Sequence, residues 1–199
     1  SIGSPIDGII APSTSATSST VFGSNSNVRF STTGSSSIIT ISADQLILKD
    51  SSGNGLVTTG VTETINISNT GASGRDTGTL TVDTWYHIYI CGIATDGVIT
   101  TVNAVASLSS SSPSLAGYTY FLRIGAIRTD SSVNKYPLAC LGYGNTVRYV
   151  LGTNLTALPT ITSGALGVIG TPTWTNPTWS AVAPSTSAEL RLVLSTQAG

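Results

Sequence analysis

The chain has 199 residues, 40% hydrophobic and only 9% charged, with Lys+Arg 8 against Asp+Glu 9 for a formal charge of -1. That is enough apolar material for a core, and it excludes both charged disorder and a nucleic-acid binder, which needs a basic face to neutralise phosphates. Ser and Thr supply roughly three residues in ten, so hydroxyls and amides must wet a surface on which charge normally does that work.

Residues 1–27 are rich in Ser, Thr and Pro and read as an N-terminal connecting segment. The chain opens Ser1-Ile2-Gly3 and holds no Met, as expected of a processed chain or a piece of a longer one. Residues 28–199 read as one β-sandwich domain. Apolar/polar alternation marks short strands at residues 37–42, 45–49, 62–68 and 78–83, each bounded by Gly, Ser, Asn or Asp. The strongest local signal follows: an apolar run over 85–95, the dipeptide Asp96-Gly97, and a second run from Val98. Asp-Gly between two such runs predicts a tight hairpin, because the turn requires positive φ. Ser109 to Ser114 form a polar loop in which Pro113 removes a ladder donor. A long strand is expected over 118–129, two more around 136–143 and 146–151, and a last one over 188–195, where Leu190, Leu192 and Leu194 share a face. A Pro/Thr/Trp-rich loop region near 157–187 carries Pro172-Thr173-Trp174 and Pro177-Thr178-Trp179. Roughly ten to thirteen strands with frequent turn signals predict an all-β fold, an antiparallel β-sandwich or jelly roll with little or no helix. No apolar run approaches the roughly 18 residues of a membrane span, so no membrane insertion is expected.

Few groups are available for catalysis. His87 is the only histidine; on a strand it shares a face with Trp85 and Tyr89, and a structural or surface role is expected of it. A Ser-His-Asp reading could draft any of many serines, and no Gly-x-Ser-x-Gly elbow is present. One His and two Cys some 50 positions apart cannot close a zinc site, and Cys91 and Cys140 read as buried thiols. Asp44, Asp50, Asp76, Asp96 and Asp130 stand beside Ser, Gly or Thr, as turn-forming aspartates do. Paired carboxylates for glycoside hydrolysis would have to draw on Glu63, Glu189 and seven Asp. Neither metal nor cofactor is expected, and no catalytic residue is assigned. Binding is better served: exposed aromatic rings stack on sugar faces and carry much interface energy. Trp174 and Trp179 in the Pro-interrupted loop, with Tyr143 and Tyr149 near Gly142 and Gly144, are the candidate ligand- or receptor-binding residues.

The stretch Asp83-Thr84-Trp85-Tyr86-His87-Ile88-Tyr89, the Asp96-Gly97 turn, and residues 115–132, with Gly117-Tyr118-Thr119, Arg123-Ile124-Gly125 and Arg128-Thr129-Asp130, occur here in that order. Over roughly residues 80–133 the chain resembles a β-module of tailed-bacteriophage virion appendages, the tail-fibre and spike-like proteins. Where the family carries a Pro before the Gly-Tyr-Thr step, this chain has Ala116. The resemblance implies a virion β-module and leaves its receptor-facing surface undetermined. Joined to the charge-poor, hydroxyl-rich composition, it leads to the expectation of a non-enzymatic virion surface domain, a tail-fibre or spike tip that binds a host cell-surface glycan or protein, packs with other virion proteins and assembles as a homotrimer. Three alternatives stand beside it: a capsid decoration or head-fibre protein, a spike-associated glycan hydrolase or esterase, and a bacterial adhesin or carbohydrate-binding module.

Overall fold

The computed structural model describes residues 24–161 and 178–192. The rest of the fold is arranged around its second strand. Eight strands form in chain order: β1 (Arg29–Thr32), β2 (Ile38–Lys49), β3 (Gly55–Asn66), β4 (Trp85–Thr95), β5 (Val98–Ser107), β6 (Tyr120–Arg128), β7 (Cys140–Tyr143) and β8 (Thr146–Tyr149). Every ladder is antiparallel, and the described residues contain no helix. The expected all-β fold is what the chain adopts.

Sequence alternation splits β2 into two strands, and the structure shows why it is one. Ile39, Ile41 and Ala43 are buried on one phase, whereas Leu46 and Leu48 are buried on the other. The phase changes at Asp44, across from which Gly60 takes φ 63. There the β2–β3 ribbon kinks without losing its pairing. β3 occupies one edge of β2 along its whole length, from Ile38↔Asn66 to Lys49↔Gly55. The other edge is shared: β1 pairs with it over Ile39 to Ser42, and β6 touches it only at Lys49↔Phe121. The sheet order is therefore β5-β4-β6-β2-β1-β7-β8, with β3 attached to β2 on the far side.

The kinked sheet curls until β3 and β5 lie side by side, and a strap at residues 73–76 closes the gap. Asn66 N donates to Ser73 O at 2.8 Å, Ser73 N to Ala104 O at 2.9 Å and Ala106 N to Gly74 O at 2.8 Å. Inside the curl one apolar core gathers residues from seven strands, among them Phe30, Ile39, Leu48, Ile65, Tyr86, Ile88, Ile90, Ala106, Ile127 and Cys140. Outside it, Tyr89, Cys91 and Val105 form a second cluster beneath Leu115, Tyr118 and Phe121. β4 is thus buried on both faces, with Tyr86, Ile88 and Ile90 pointing in and Tyr89 and Cys91 pointing out. Both cysteines are free and buried, and burial, with a smaller contribution from Glu63, pushes the Cys91 thiol up to about 12.

The Asp96-Gly97 hairpin forms as expected, with φ 51 and 76 at its two residues and β4 and β5 on either side. One expected strand does not form, and the described part of another makes no ladder. Residues 78–83 alternate like a strand, yet their backbone bonds side chains instead of a ladder: Thr81 O accepts from Thr129 Oγ1 at 2.7 Å, Thr79 O from Tyr86 Oη at 3.3 Å and Leu80 O from Lys135 Nζ at 2.8 Å. Residues 188–192 make no ladder, and Leu190 and Leu192 are exposed; residues 193–195 lie outside the described residues. Among the described residues the strand count is eight, against ten to thirteen expected for the chain. Ordered contacts also begin slightly before residue 28, since Ser26 pairs with Gln45 and Asn25 Oδ1 accepts from Ile47 N at 2.9 Å.

Candidate functional site

β1 and β6 share an edge of β2 at opposite ends, so the sheet forks between them. Among the described residues, β6 from Leu122 to Ile127 has a ladder partner on its β4 side only. A depression of about 470 Å³ occupies the fork, lined by Asn25, Asn27 and Val28 on one side, Leu122, Arg123 and Ile124 on the other, and Tyr143, Gly144 and Asn145 at the β7–β8 turn. That turn is fixed on the wall of the fork by Gly144 N, which donates to Val28 O at 2.9 Å.

Tyr143 stands at the rim and is 58% exposed. It points outward because β7 alternates, with Cys140 and Gly142 buried and Leu141 and Tyr143 exposed. Its ring is backed by the Arg29 guanidinium at 5.2 Å from the centroid, and its hydroxyl donates to Asn27 Oδ1 at 3.3 Å. One face and the polar tip are therefore held, which spares a ligand part of the cost of ordering the ring. Arg123 reaches the other wall through a bulge. The β4–β6 register runs Ile88↔Gly125 and then Tyr89↔Arg123, so Ile124 is the extra residue that re-aims the strand, a common use of a bulge. Arg123 is exposed and has no ion-pair partner among the described residues.

The structure separates the four aromatic candidates. Tyr143 lies at the fork. Tyr149 pairs with Cys140 at the opposite end of the β7–β8 hairpin; it packs on the core and its hydroxyl donates to Val182 O at 3.0 Å. Burial, reinforced by Cys140 and partly offset by Arg128, pushes its phenol up to about 12. Tyr149 is a clamp on residues 180–182, and Trp85 is another, with Nε1 donating to Ser180 O at 2.7 Å. Trp179 is 57% exposed on the turn these two residues pin, where its carbonyl accepts from Val182 N and Ala183 N. Trp174 lies outside the described residues. The amides of Asn25, Asn27 and Asn145 and the cation of Arg123 carried no sequence signal as a group, because a sheet fork is what assembles them.

His87 is buried between its cross-strand neighbours Ser107 and Ala126, and its Nδ1 has no hydrogen-bond partner. Burial, and then the charge of Arg123, lower its pKa below the usual 6.5. The Ser107 hydroxyl accepts from Ser109 N at 3.0 Å, and no hydrogen bond joins it to His87. Glu63 is half-buried in β3, whereas Glu189 is exposed and paired with Arg191 at 3.0 Å. Among the described residues no three His, Cys, Asp or Glu side chains gather where they could hold a metal ion.

Fold and site together define an all-β protein with a polar depression, edged by one exposed aromatic ring, at a fork in its sheet. Comparison with protein-family models, curated proteins and solved structures finds no match.

Proposed function

We propose that this chain is a non-enzymatic surface domain of a virion, the tip of a tailed-bacteriophage tail fibre or spike, and that it attaches the particle to a glycan or protein of the host surface through the fork around Tyr143. The observation that carries the reading is the Tyr143 ring, exposed on one side and braced on the other by Arg29 and Asn27. A fixed aromatic face beside side-chain amides offers a sugar both stacking and neutral hydrogen bonds. The charge-poor, hydroxyl-rich composition and the resemblance over residues 80–133 support a virion appendage. Assembly as a homotrimer with other virion proteins would multiply weak contacts into firm attachment by avidity.

Binding of the chain to host cells tests this. Tyr143→Ala is expected to weaken binding about tenfold, the size of one well-placed aromatic contact. Raising salt from about 50 to 500 mM is expected to change affinity less than about tenfold, since few charges are engaged. A hundredfold salt dependence, or unaltered binding by the variant, would remove the fork from the mechanism. Binding to capsids in place of cells would favour a decoration protein.

A further inference from the structure

A second depression, of about 720 Å³, lies on the other side of Arg123. Its floor and walls include Lys49 at the end of β2, Ser110 to Ser112 and Pro113 of the polar loop, and the half-buried rings of Tyr118 and Phe121. Leu122 and Arg123 line both depressions, so the two adjoin along this part of β6. Each alone has the volume of a site for one drug-sized ligand, about 300–1,000 Å³; together they suit a chain of several units. The first depression offers side-chain amides and the second Ser and Thr hydroxyls, each has an exposed or half-buried aromatic ring (Tyr143 and Tyr118), and the cations are Arg123, common to both, and Lys49 in the second. Arg123 and Lys49 have no ion-pair partner among the described residues. The one carboxylate in the second depression is turned into its own loop: Asp50 accepts from Ser52 N at 2.9 Å, Asn54 N at 2.8 Å and Asn54 Nδ2 at 2.9 Å. The trough therefore presents unbalanced positive charge at its middle, on a side chain whose planar fork matches a carboxylate.

We infer that the two depressions form one binding trough for an acidic oligosaccharide, laid lengthwise with a carboxylate on Arg123 and sugar faces against Tyr143 and Tyr118. This rests on the glycan-binding reading above and adds the chemical class of the ligand and its second subsite. With only Arg123 and Lys49 as cations in the trough, the salt dependence stays shallow, in line with that reading.

Calorimetry on the full chain provides the test, with hexasaccharides of polygalacturonate and of hyaluronan as probes, each beside its carboxyl-reduced, neutral counterpart. At least one acidic probe is expected to bind ten or more times tighter than its neutral form. Arg123→Gln, an exposed change whose folding a thermal melt verifies, is expected to erase that difference. Tyr118→Ala is expected to weaken the hexasaccharide at least fivefold and leave the disaccharide unchanged. Equal binding of acidic and neutral probes, indifference to Arg123→Gln, or no binding of any acidic probe overturns the inference. If neutral probes bind and Tyr143→Ala abolishes that binding while Arg123→Gln does not, the attachment role survives and the acidic ligand falls. If neither probes nor host cells bind, both fall. An extended peptide that binds and protects β6 amides from exchange would replace the sugar with strand addition at the free edge of β6.

Discussion

Arg75 is a buried cation at the closure of the sheet. It is 5% exposed, has no carboxylate partner among the described residues, and gives its protons to Ile67 O, to Gly78 O at 3.1 Å and to Thr70 Oγ1 at 3.3 Å. A buried cation surrounded by carbonyls pins the segment that carries the strap between β3 and β5. Removing it leaves those acceptors dry and unpaired, so Arg75→Ala is expected to cost about 3 kcal/mol in urea denaturation. Arg75→Lys should recover little, because an ammonium cannot span three acceptors in one plane. His87 acts in the opposite sense. Its folded-state pKa lies below the usual 6.5, so as pH falls through 6.5 the unfolded chain takes up a proton that the folded chain refuses. Stability from this group is full above that pH and declines below it, down to the folded-state value. Denaturation midpoints of the native chain should drop from pH 7.5 to 5.5 by more than those of His87→Gln, and parallel pH profiles would contradict the assignment.

At the scale of elements, Phe30 shows how two glycines earn their places. The ring lies where a Cβ at Gly125 on β6 or Gly142 on β7 would strike it, so the one core ring of β1 fits only because two neighbouring strands lack side chains there. Gly142→Ala is expected to cost about 1–3 kcal/mol by overpacking, read as a lowered melting temperature. Local rules made the elements legible where partners were local. Asp96-Gly97 announced its hairpin because the turn chemistry is complete in two residues. The same reasoning failed at residues 78–83, whose alternation is strand-like but whose carbonyls are taken by Thr129 and Lys135 from some 50 positions away. It also cut β2 in two, since a kink that changes the buried phase looks like a gap in a one-dimensional pattern. The site followed suit. Tyr143 was legible as an aromatic next to glycines, and so was Tyr149, yet the hairpin register sends one to the fork and the other onto the core. Arg123 was invisible as a site residue because a bulge, set by pairing with β4, decides where it points.

For the whole molecule, the sheet formed by the described residues ends in an edge strand, β8, with exposed apolar side chains on and beside it. Val147 in β8 and Val150 and Leu151 just beyond it are exposed, and an edge of this kind is usually covered by a partner or blunted by charge. The homotrimer proposed above would cover it and give a solution mass about three times the 20.3 kDa of one chain. Leu151→Asp should then release monomers in light scattering, and a wild-type monomer at micromolar concentration would refute the assembly. The placement of the few basic residues has one more consequence. Of the eight, Arg29, Lys49, Arg123, Arg128 and Arg148 are held in strands, Arg75 is buried beneath the strap, Lys135 is tied to Leu80, and Arg191 alone stands in exposed chain outside any ladder, paired only with Glu189 two residues away. Trypsin cuts after such residues only when the chain can lie extended in its cleft, so nearly every cleavage must wait for the sheet to open. Sparse charge, which at first reads as a problem of solubility, thereby becomes resistance to digestion.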